Sequence, residues 1–309
     1  MGVVMGAECI VTVSQGNGFL LARECRVRYP PGVSNKKKER PLPESLGLSP
    51  VGVETHAHLD YKRLDPQELP LVLGRAAKAG IERIGNVFLG VEAYAANAPL
   101  FRQYPQVFFL LGIHPNDSAR ADIRHVADMA ALFAADSNLK AIGEVGLDFY
   151  WKDTPPEVQE RFFREQLDLA RQMEMPVAVH SRDAFAESLR VLDESGLPGE
   201  LVLWHCFGGG PDQAVELIHR GYTVSVPGPV TYPKNEDLRR AVSILEMDRM
   251  VIESDAPFLT PEPYRGRPNE PAYNVFTAQT VARVKGLDTA EVWRITGENA
   301  KRFFGLGPL

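Results

Sequence analysis

Cysteine is scarce in this 309-residue chain: Cys9, Cys25 and Cys206 are the only three. They are too few and too scattered for a disulfide framework, and their spacing matches no thiolate zinc module. A reducing, cytoplasmic setting is expected, with a Cys9–Cys25 bridge the one pairing left open. Long apolar runs are missing too. None approaches the roughly 18 residues that cross a bilayer, so no membrane association is expected. The stretch from Met1 to Val13 is apolar but lacks a basic leader and carries Glu8, which argues against a secretory signal. Positive charge is in deficit: 34 Lys+Arg stand against 40 Asp+Glu, a formal net charge of −6. Whole-chain electrostatics would not draw such a protein to DNA, RNA or anionic lipid, so any nucleic acid must be handled by local groups. No repeat of fixed period is present, and nothing marks an obligate protein partner.

What is present is ordinary globular composition, 44% hydrophobic and 24% charged, enough for a substantial core. The length suits an α/β barrel of about 250 residues with an extension. Residues 1–50 differ from the rest. Glu8 to Val13 and Phe19 to Val27 are strand-like around a Gln-Gly-Asn-Gly turn, a pattern that suits a β-hairpin. Pro30-Pro31-Gly32, the run Lys36-Lys37-Lys38-Glu39-Arg40 and Pro41-Leu42-Pro43 follow and read as a solvated linker, with no aromatic interleaved to suggest a polyanion site.

From Val51 to Leu309 short apolar runs alternate with helical segments. Strands are expected at Val51 to Glu54, Ile81 to Val87, Val107 to Gly112, Leu139 to Gly143, Pro176 to His180, Leu201 to Cys206, Tyr222 to Val226 and Met250 to Glu253. Helix-period stretches with glycine stops lie between them, such as Gln67 to Ala79, Asp183 to Ser195 and Pro211 to Arg220. Asp288 and Glu291 open a last helix, to Phe304, with a capping pattern. Strands too apolar for a half-exposed sheet imply parallel strands covered by helices, and eight such units close a TIM-type (β/α)8 barrel.

Chemistry gathers at the strand ends. Five of the seven histidines fall there: His56, His58, His114, His180 and His205, with Glu144 and Asp255 at equivalent places. Imidazoles and carboxylates at one end of a barrel are what a hydrolytic metal centre requires. His56 and His58 are two apart after the first strand and can reach one ion, although a lone His-x-His is common in loops. Glu144 stands in Gly143-Glu144-Val145-Gly146, where little side-chain bulk obstructs a metal or substrate. Its two oxygens can bridge two cations about 3.5–4 Å apart. Alone it would pass for a solvated loop carboxylate. His180 and His205 close very apolar strands; each by itself could be a core histidine, but on adjacent strands they fit a second ion. Asp255 follows the eighth strand, which neighbours the first in a barrel, so it can serve His56 and His58 as ligand or act as base for the attacking water.

Around this set, His114 before Pro115 suits a supporting or substrate-contacting role. Asp148 and Arg182 lie just beyond strand ends, and Arg182 can grip a phosphate oxygen or pair with a carboxylate. The loop Tyr264 to Pro271 carries Arg265, Arg267 and Asn269 where barrels often place phosphate contacts, and a guanidinium matches phosphate in shape. Arg265 and Asn269 are the expected substrate contacts there. His125 and His219 sit in helical patterns and read as surface residues.

The stretches Thr55-His56-Ala57-His58-Leu59-Asp60, Gly112-Ile113-His114-Pro115, Gly143-Glu144-Val145-Gly146-Leu147-Asp148, His180-Ser181-Arg182-Asp183-Ala184, His205-Cys206-Phe207-Gly208-Gly209, Glu253-Ser254-Asp255-Ala256-Pro257 and Arg265-Gly266-Arg267-Pro268-Asn269-Glu270-Pro271 resemble, in order, the TatD family of metal-dependent deoxyribonucleases, amidohydrolase-like barrels. The resemblance covers Val51 to Leu306. Ala57, Gly208 and Ser254 depart from residues the family often carries, Cys, Ser and Thr, and none removes a ligand. The resemblance implies two divalent ions (Mg, Mn or Zn), one held by His56, His58 and Asp255, the other by His180 and His205, with Glu144 shared. It also implies phosphodiester hydrolysis of DNA, or of RNA, 3′ to 5′ on single strands, by a two-metal-activated water with Glu144 and Asp255 catalytic. A small-molecule amidohydrolase or phosphoesterase using the same binuclear site is the alternative. A barrel kept only as a binding scaffold is disfavoured by the intact ligand set.

Overall fold

A computed structural model describes residues 40–61 and 66–309. The expected β-hairpin, Cys9, Cys25 and the basic run up to Glu39 lie outside the described residues. From Gly52 onward the elements are β1 (Gly52–Ala57), α1 (Leu69–Lys78), β2 (Ile81–Leu89), α2 (Val91–Phe101), β3 (Val107–Gly112), α3 (Arg124–Ala135), β4 (Leu139–Asp148), α4 (Pro156–Met173), β5 (Val177–Arg182), α5 (Phe185–Ser195), β6 (Val202–Trp204), α6 (Pro211–His219), β7 (Thr223–Val226), α7 (Glu236–Ile244), β8 (Met250–Ile252), α8 (Asn274–Lys285) and α9 (Thr289–Phe303).

The strands follow one another in chain order, and every neighbouring pair from β1 to β8 is parallel. The ring is joined where β8 meets β1. Ala57 bridges Ala256, the Asp255 N–H donates to the His56 carbonyl at 2.9 Å, and the His58 N–H donates to the Ala256 carbonyl at 2.8 Å. This is the TIM-type (β/α)8 barrel that the alternation of apolar runs and helices predicts.

Two apolar layers hold it. Val53, Val87, Phe108, Leu110, Ala141, Ala178, Leu203 and Val251, drawn from seven of the strands, pack as one cluster with Ala300 and Phe304 at the end of α9. These residues fill the inside and plug its lower end. Outward-facing residues such as Val177, Val179, Val202, Val224 and Ile252 pack with the helices in the larger cluster. Burial on both faces is why the strands read as unbroken apolar runs. Ahead of β1, the Trp293 indole N–H donates to the Ser49 carbonyl at 3.0 Å and Arg40 Nε to the Pro263 carbonyl at 2.8 Å, so residues 40–50 lie along the barrel. Among the described residues no helix is long and apolar enough to cross a membrane.

Several boundaries differ from the sequence reading. β4 runs to Asp148 and β5 to Arg182, while β6 stops at Trp204 and β8 at Ile252. The extra length of β4 and β5 comes from mutual pairing, with Gly146 opposite His180 and Asp148 opposite Arg182. Polar side chains there face the mouth and break the apolar pattern that marks a strand.

Candidate metal centre

The two-residue period of a strand carries the inner cluster directly into the site. Two positions beyond inward-facing Ala178 stands His180, and two beyond Leu203 stands His205. Stepping by two from Val251 gives Glu253 and then Asp255; from Leu110 it gives Gly112 and His114. β1 and β4 deliver His56, His58 and Glu144 past local irregularities, since the register shifts between Glu54 and Ala57 and between Ile142 and Val145.

The six expected ligands converge, and Glu144 is their centre. Its Oε2 lies 3.4 Å from His56 Nε2 and 3.6 Å from His58 Nε2. Its Oε1 lies 2.5 Å from His180 Nδ1, 3.3 Å from His205 Nε2 and 3.7 Å from His114 Nε2. Asp255 Oδ1 is 3.4 Å from His58 Nε2. The sets His56–His58–Asp255, His56–Glu144–His205 and His114–Glu144–His180 each bring three ligand atoms within 4.8 Å of one another. His114 thus joins the cluster itself.

The glycines flanking Glu144 serve a different purpose from the one their sequence suggests. A Cβ at Gly146, where φ is +143°, would sit 2.0 Å from the His180 carbonyl oxygen, and one at Gly143 would sit 2.7 Å from the Ala178 Cβ. They let β4 lie close against β5 and so bring Glu144 and His180 together, rather than clearing a path for a ligand.

Electrostatics tie the cluster into one unit. Burial and the neighbouring His205 push His56 down, and the two rings stack with centroids 3.6 Å apart. Burial works against charge on His58, His180 and His205, yet nearby carboxylates outweigh it. His58 is raised by Asp255, His180 is raised to about 9 by Glu144 and Asp148, and His205 is held well above the usual range by Glu253 and Glu144. Burial likewise opposes the Glu144 carboxylate, but His205, His180 and His114 hold it well below the ordinary range. Burial lowers His114 to about 4.

The residues fit a cation. Neither ring nitrogen of fully buried His56 has a hydrogen-bond partner, a deficit that costs about 1–3 kcal/mol for each buried polar atom and that coordination would remove at the nitrogen bound. Imidazoles and carboxylates are the donors that divalent first-row metals take.

Three buried carboxylates complete the site and were not singled out for these roles in the sequence. Asp148 Oδ2 lies 3.2 Å from His180 Nε2, and its Oδ1 accepts the N–H groups of Tyr150 and Trp151. Glu253 Oε2 lies 2.9 Å from His205 Nδ1. The two pairings orient the rings oppositely, so that His180 turns Nδ1, and His205 turns Nε2, toward Glu144. Such outer carboxylates set the tautomer and direction of a metal-binding imidazole. Glu54 crosses the seam between β1 and β8, accepting from the His56 and Ser254 N–H groups and the Asn274 amide. Spacing was the one legible signal, and only for two of them: Glu253 is two residues before Asp255, and Glu54 is two before His56. Gln159 and Gln166 of α4 were missed as well. They bond the backbone of Asp148 and of Ile113, fixing the strand ends that carry Asp148 and His114.

The expected substrate contacts are placed as follows. The Arg182 guanidinium lies 3.8 Å over the Tyr150 ring, and that of Arg265 lies 4.1 Å over Tyr232. Asn269 is buried, its amide donating to the Ser254 carbonyl at 2.7 Å and the Phe258 carbonyl at 2.6 Å. It therefore braces the loop after β8 from within. His219 ends α6, and His125 in α3 lies 3.4 Å from Glu92, both away from the cluster.

A parallel barrel carrying imidazoles and carboxylates around a shared glutamate, at the carboxyl ends of its strands, is the framework of a metal-dependent hydrolase. The chain belongs to the TatD related DNase family, whose profile matches residues 53–305. YabD of Bacillus subtilis, described as an uncharacterized metal-dependent hydrolase, is 34% identical over 251 residues, which is 81% of this chain and 98% of YabD. A Citrobacter rodentium protein named 3′-5′ ssDNA/RNA exonuclease TatD is 33% identical over 246 residues, 76% of this chain and 91% of that protein. The crystal structure of YJJV, a TatD homolog from Escherichia coli K12, superposes with a TM-score of 0.78 at 26% identity, covering 83% of this chain and 99% of that one.

Proposed function

We propose that residues 51–309 form a hydrolase domain that uses two divalent cations to cleave phosphodiesters of DNA, removing nucleotides from the 3′ end of single strands, with RNA as a related substrate. The observation that carries this reading is the division of Glu144 between two groups of imidazoles: His56 and His58, with Asp255, on Oε2, and His180 and His205 on Oε1. The substrate is supported by the exonuclease name of a relative 33% identical to this chain and by Arg182 and Arg265 beside the mouth. The few cysteines fit a cytoplasmic setting.

When bound, divalent cations supply Lewis acidity, polarising a phosphoryl oxygen and making water a stronger nucleophile near neutral pH. His56, His58 and Asp255 would hold one cation, His180 and His205 the other, with Glu144 common to both. The remaining steps belong to the protein. Asp255, whose side chain keeps 15% of its exposure, orients the attacking water and takes its proton on a carboxylate oxygen. Arg182 and Arg265 bind non-reacting phosphates and align the scissile bond, and His114, poised over Glu144, contacts the phosphoryl group. Asp148 and Glu253 keep their imidazoles aimed, while Asn269 keeps the β8 loop in place.

The net charge of −6 favours a second reading, a small-molecule amidohydrolase or phosphoesterase on the same site. Protein loaded with Mg, Mn or Zn, incubated with end-labelled single-stranded DNA and in parallel with amide and ester panels, separates the two. Stepwise shortening from the 3′ end is expected; turnover of the panels without any of DNA would defeat the nuclease reading.

A further inference from the structure

Ten large apolar side chains are exposed among the described residues, and the four aromatic ones, Tyr61, Tyr150, Trp151 and Phe258, all stand at the mouth of the barrel. Tyr150 and Trp151 are 50% and 51% exposed, Tyr61 and Phe258 39% and 37%. They form two pairs. The Tyr150 and Trp151 rings meet at 88° with centroids 5.0 Å apart, and Arg182 covers one face of Tyr150. Tyr61 and Phe258 meet at 68° and 5.2 Å, and Phe258 lies 6.3 Å from the His58 ring.

Both pairs are hung on the metal centre by their own backbones. The Tyr150 and Trp151 N–H groups donate to Asp148, which holds His180. The Tyr61 N–H donates to the His58 carbonyl at 3.1 Å, and the Phe258 N–H to the Asp255 carbonyl at 2.8 Å. One pair follows β4 and the other flanks the β8–β1 seam, three to four strands away in an eight-strand ring. They therefore occupy opposite rims with Glu144 between them. Rings this large left one-third to one-half open to water present apolar surface for a ligand, and aromatic faces beside a guanidinium group match unpaired nucleobases joined by phosphates.

Resting on the nuclease reading above, we propose that these two pairs are base-stacking subsites, each receiving one unpaired nucleobase of the strand whose phosphodiester lies over Glu144. A duplex keeps the faces of its bases inside its own stack and cannot present them, so the platforms select single strands. Stacking is blind to base identity and to the 2′-hydroxyl, so sequence tolerance and acceptance of both DNA and RNA follow.

The test uses phosphorothioate oligonucleotides with a fluorescent label, intact or carrying a tetrahydrofuran abasic residue on one side of the terminal linkage. Their binding to the metal-loaded full chain is read by anisotropy and by quenching of indole emission. Loss of one base should weaken binding about 5- to 150-fold. Trp151→Ala or Phe258→Ala should cost a similar factor on the intact strand. On the abasic strand matching its rim each variant should add little further loss, since the same contact has been removed from both partners. Both side chains are at least a third exposed, and the hydrogen bonds to Asp148 and Asp255 come from backbone, so the variants should keep the parental circular dichroism and melting temperature.

Equal binding of intact and abasic strands, or of single strand and duplex, would overturn the proposal while leaving the nuclease reading in place. So would indole quenching by anionic vesicles that oligonucleotide does not displace. Absence of both binding and cleavage of any nucleic acid would remove both.

Discussion

Glu54 offers a quantitative check on how the barrel is closed around its site. The side chain is fully buried, and it accepts the His56 N–H at 2.8 Å, the Ser254 N–H at 3.1 Å and the Asn274 amide at 2.8 Å. Glu54→Ala removes the acceptor of three buried donors. Each donor left unmatched costs about 1–3 kcal/mol, so about 3 kcal/mol is expected even where water enters the space. At about 2–4 °C per kcal/mol for domains approaching this size, melting should fall by about 6–12 °C. Glu54→Gln retains one acceptor oxygen and should lose less than half of that. Thermal unfolding followed by circular dichroism on chelator-treated protein provides the measurement, without contribution from a bound ion. The seam also positions His56 and Asp255, so Glu54→Ala should weaken cation binding as well. A variant melting within about 1 °C of the parent would refute the assignment of Glu54 as the clasp between β1 and β8.

Further outcomes follow from the same geometry. Glu253→Ala, by freeing His205 to rotate or change tautomer, should reduce cation affinity about 10- to 100-fold in a calorimetric titration; unchanged affinity would show that the ring is aimed by packing alone. Removing the cation with chelator should lower the melting temperature, and adding it back at 100 times its dissociation constant should restore about 2.7 kcal/mol, whereas identical melting curves would speak against a structural link between ion and fold. His180 is raised to about 9, since Glu144 and Asp148 outweigh its burial, so at pH 7 the metal-free site holds a proton that a cation must displace. Affinity should therefore climb from pH 6 toward pH 9; a flat profile would contradict that proton's presence.

The barrel was readable because a parallel sheet buried on both faces writes each strand as an unbroken apolar run, as at Val107–Gly112, where expected and observed bounds coincide. The reading stopped short where chemistry begins. Glu144, Leu147 and Asp148 belong to β4, but the polar members interrupt the apolar run and suggest a loop. His56, His58, His180, His205 and Asp255 were visible because histidine and aspartate at strand ends recur at matching places in several units. Glu54 and Glu253 were not, and Asp148 was placed at a strand end without its role, because an isolated carboxylate in sequence reads as solvated until the partner that satisfies it is known. Glu54 finds Ser254 200 residues away and Glu253 finds His205 48 residues away. The four mouth aromatics were equally silent. In sequence they look like core residues, and only the fold shows that their rings face water.

The account turns on Glu144 as the carboxylate shared by two cations. Equilibrium dialysis of metal-stripped protein against Mn or Zn, with bound metal counted by mass spectrometry, measures this directly. Two ions per chain are predicted for the parent and at most one for Glu144→Ala. A parent that binds none, or a Glu144→Ala variant that still binds two, would contradict it.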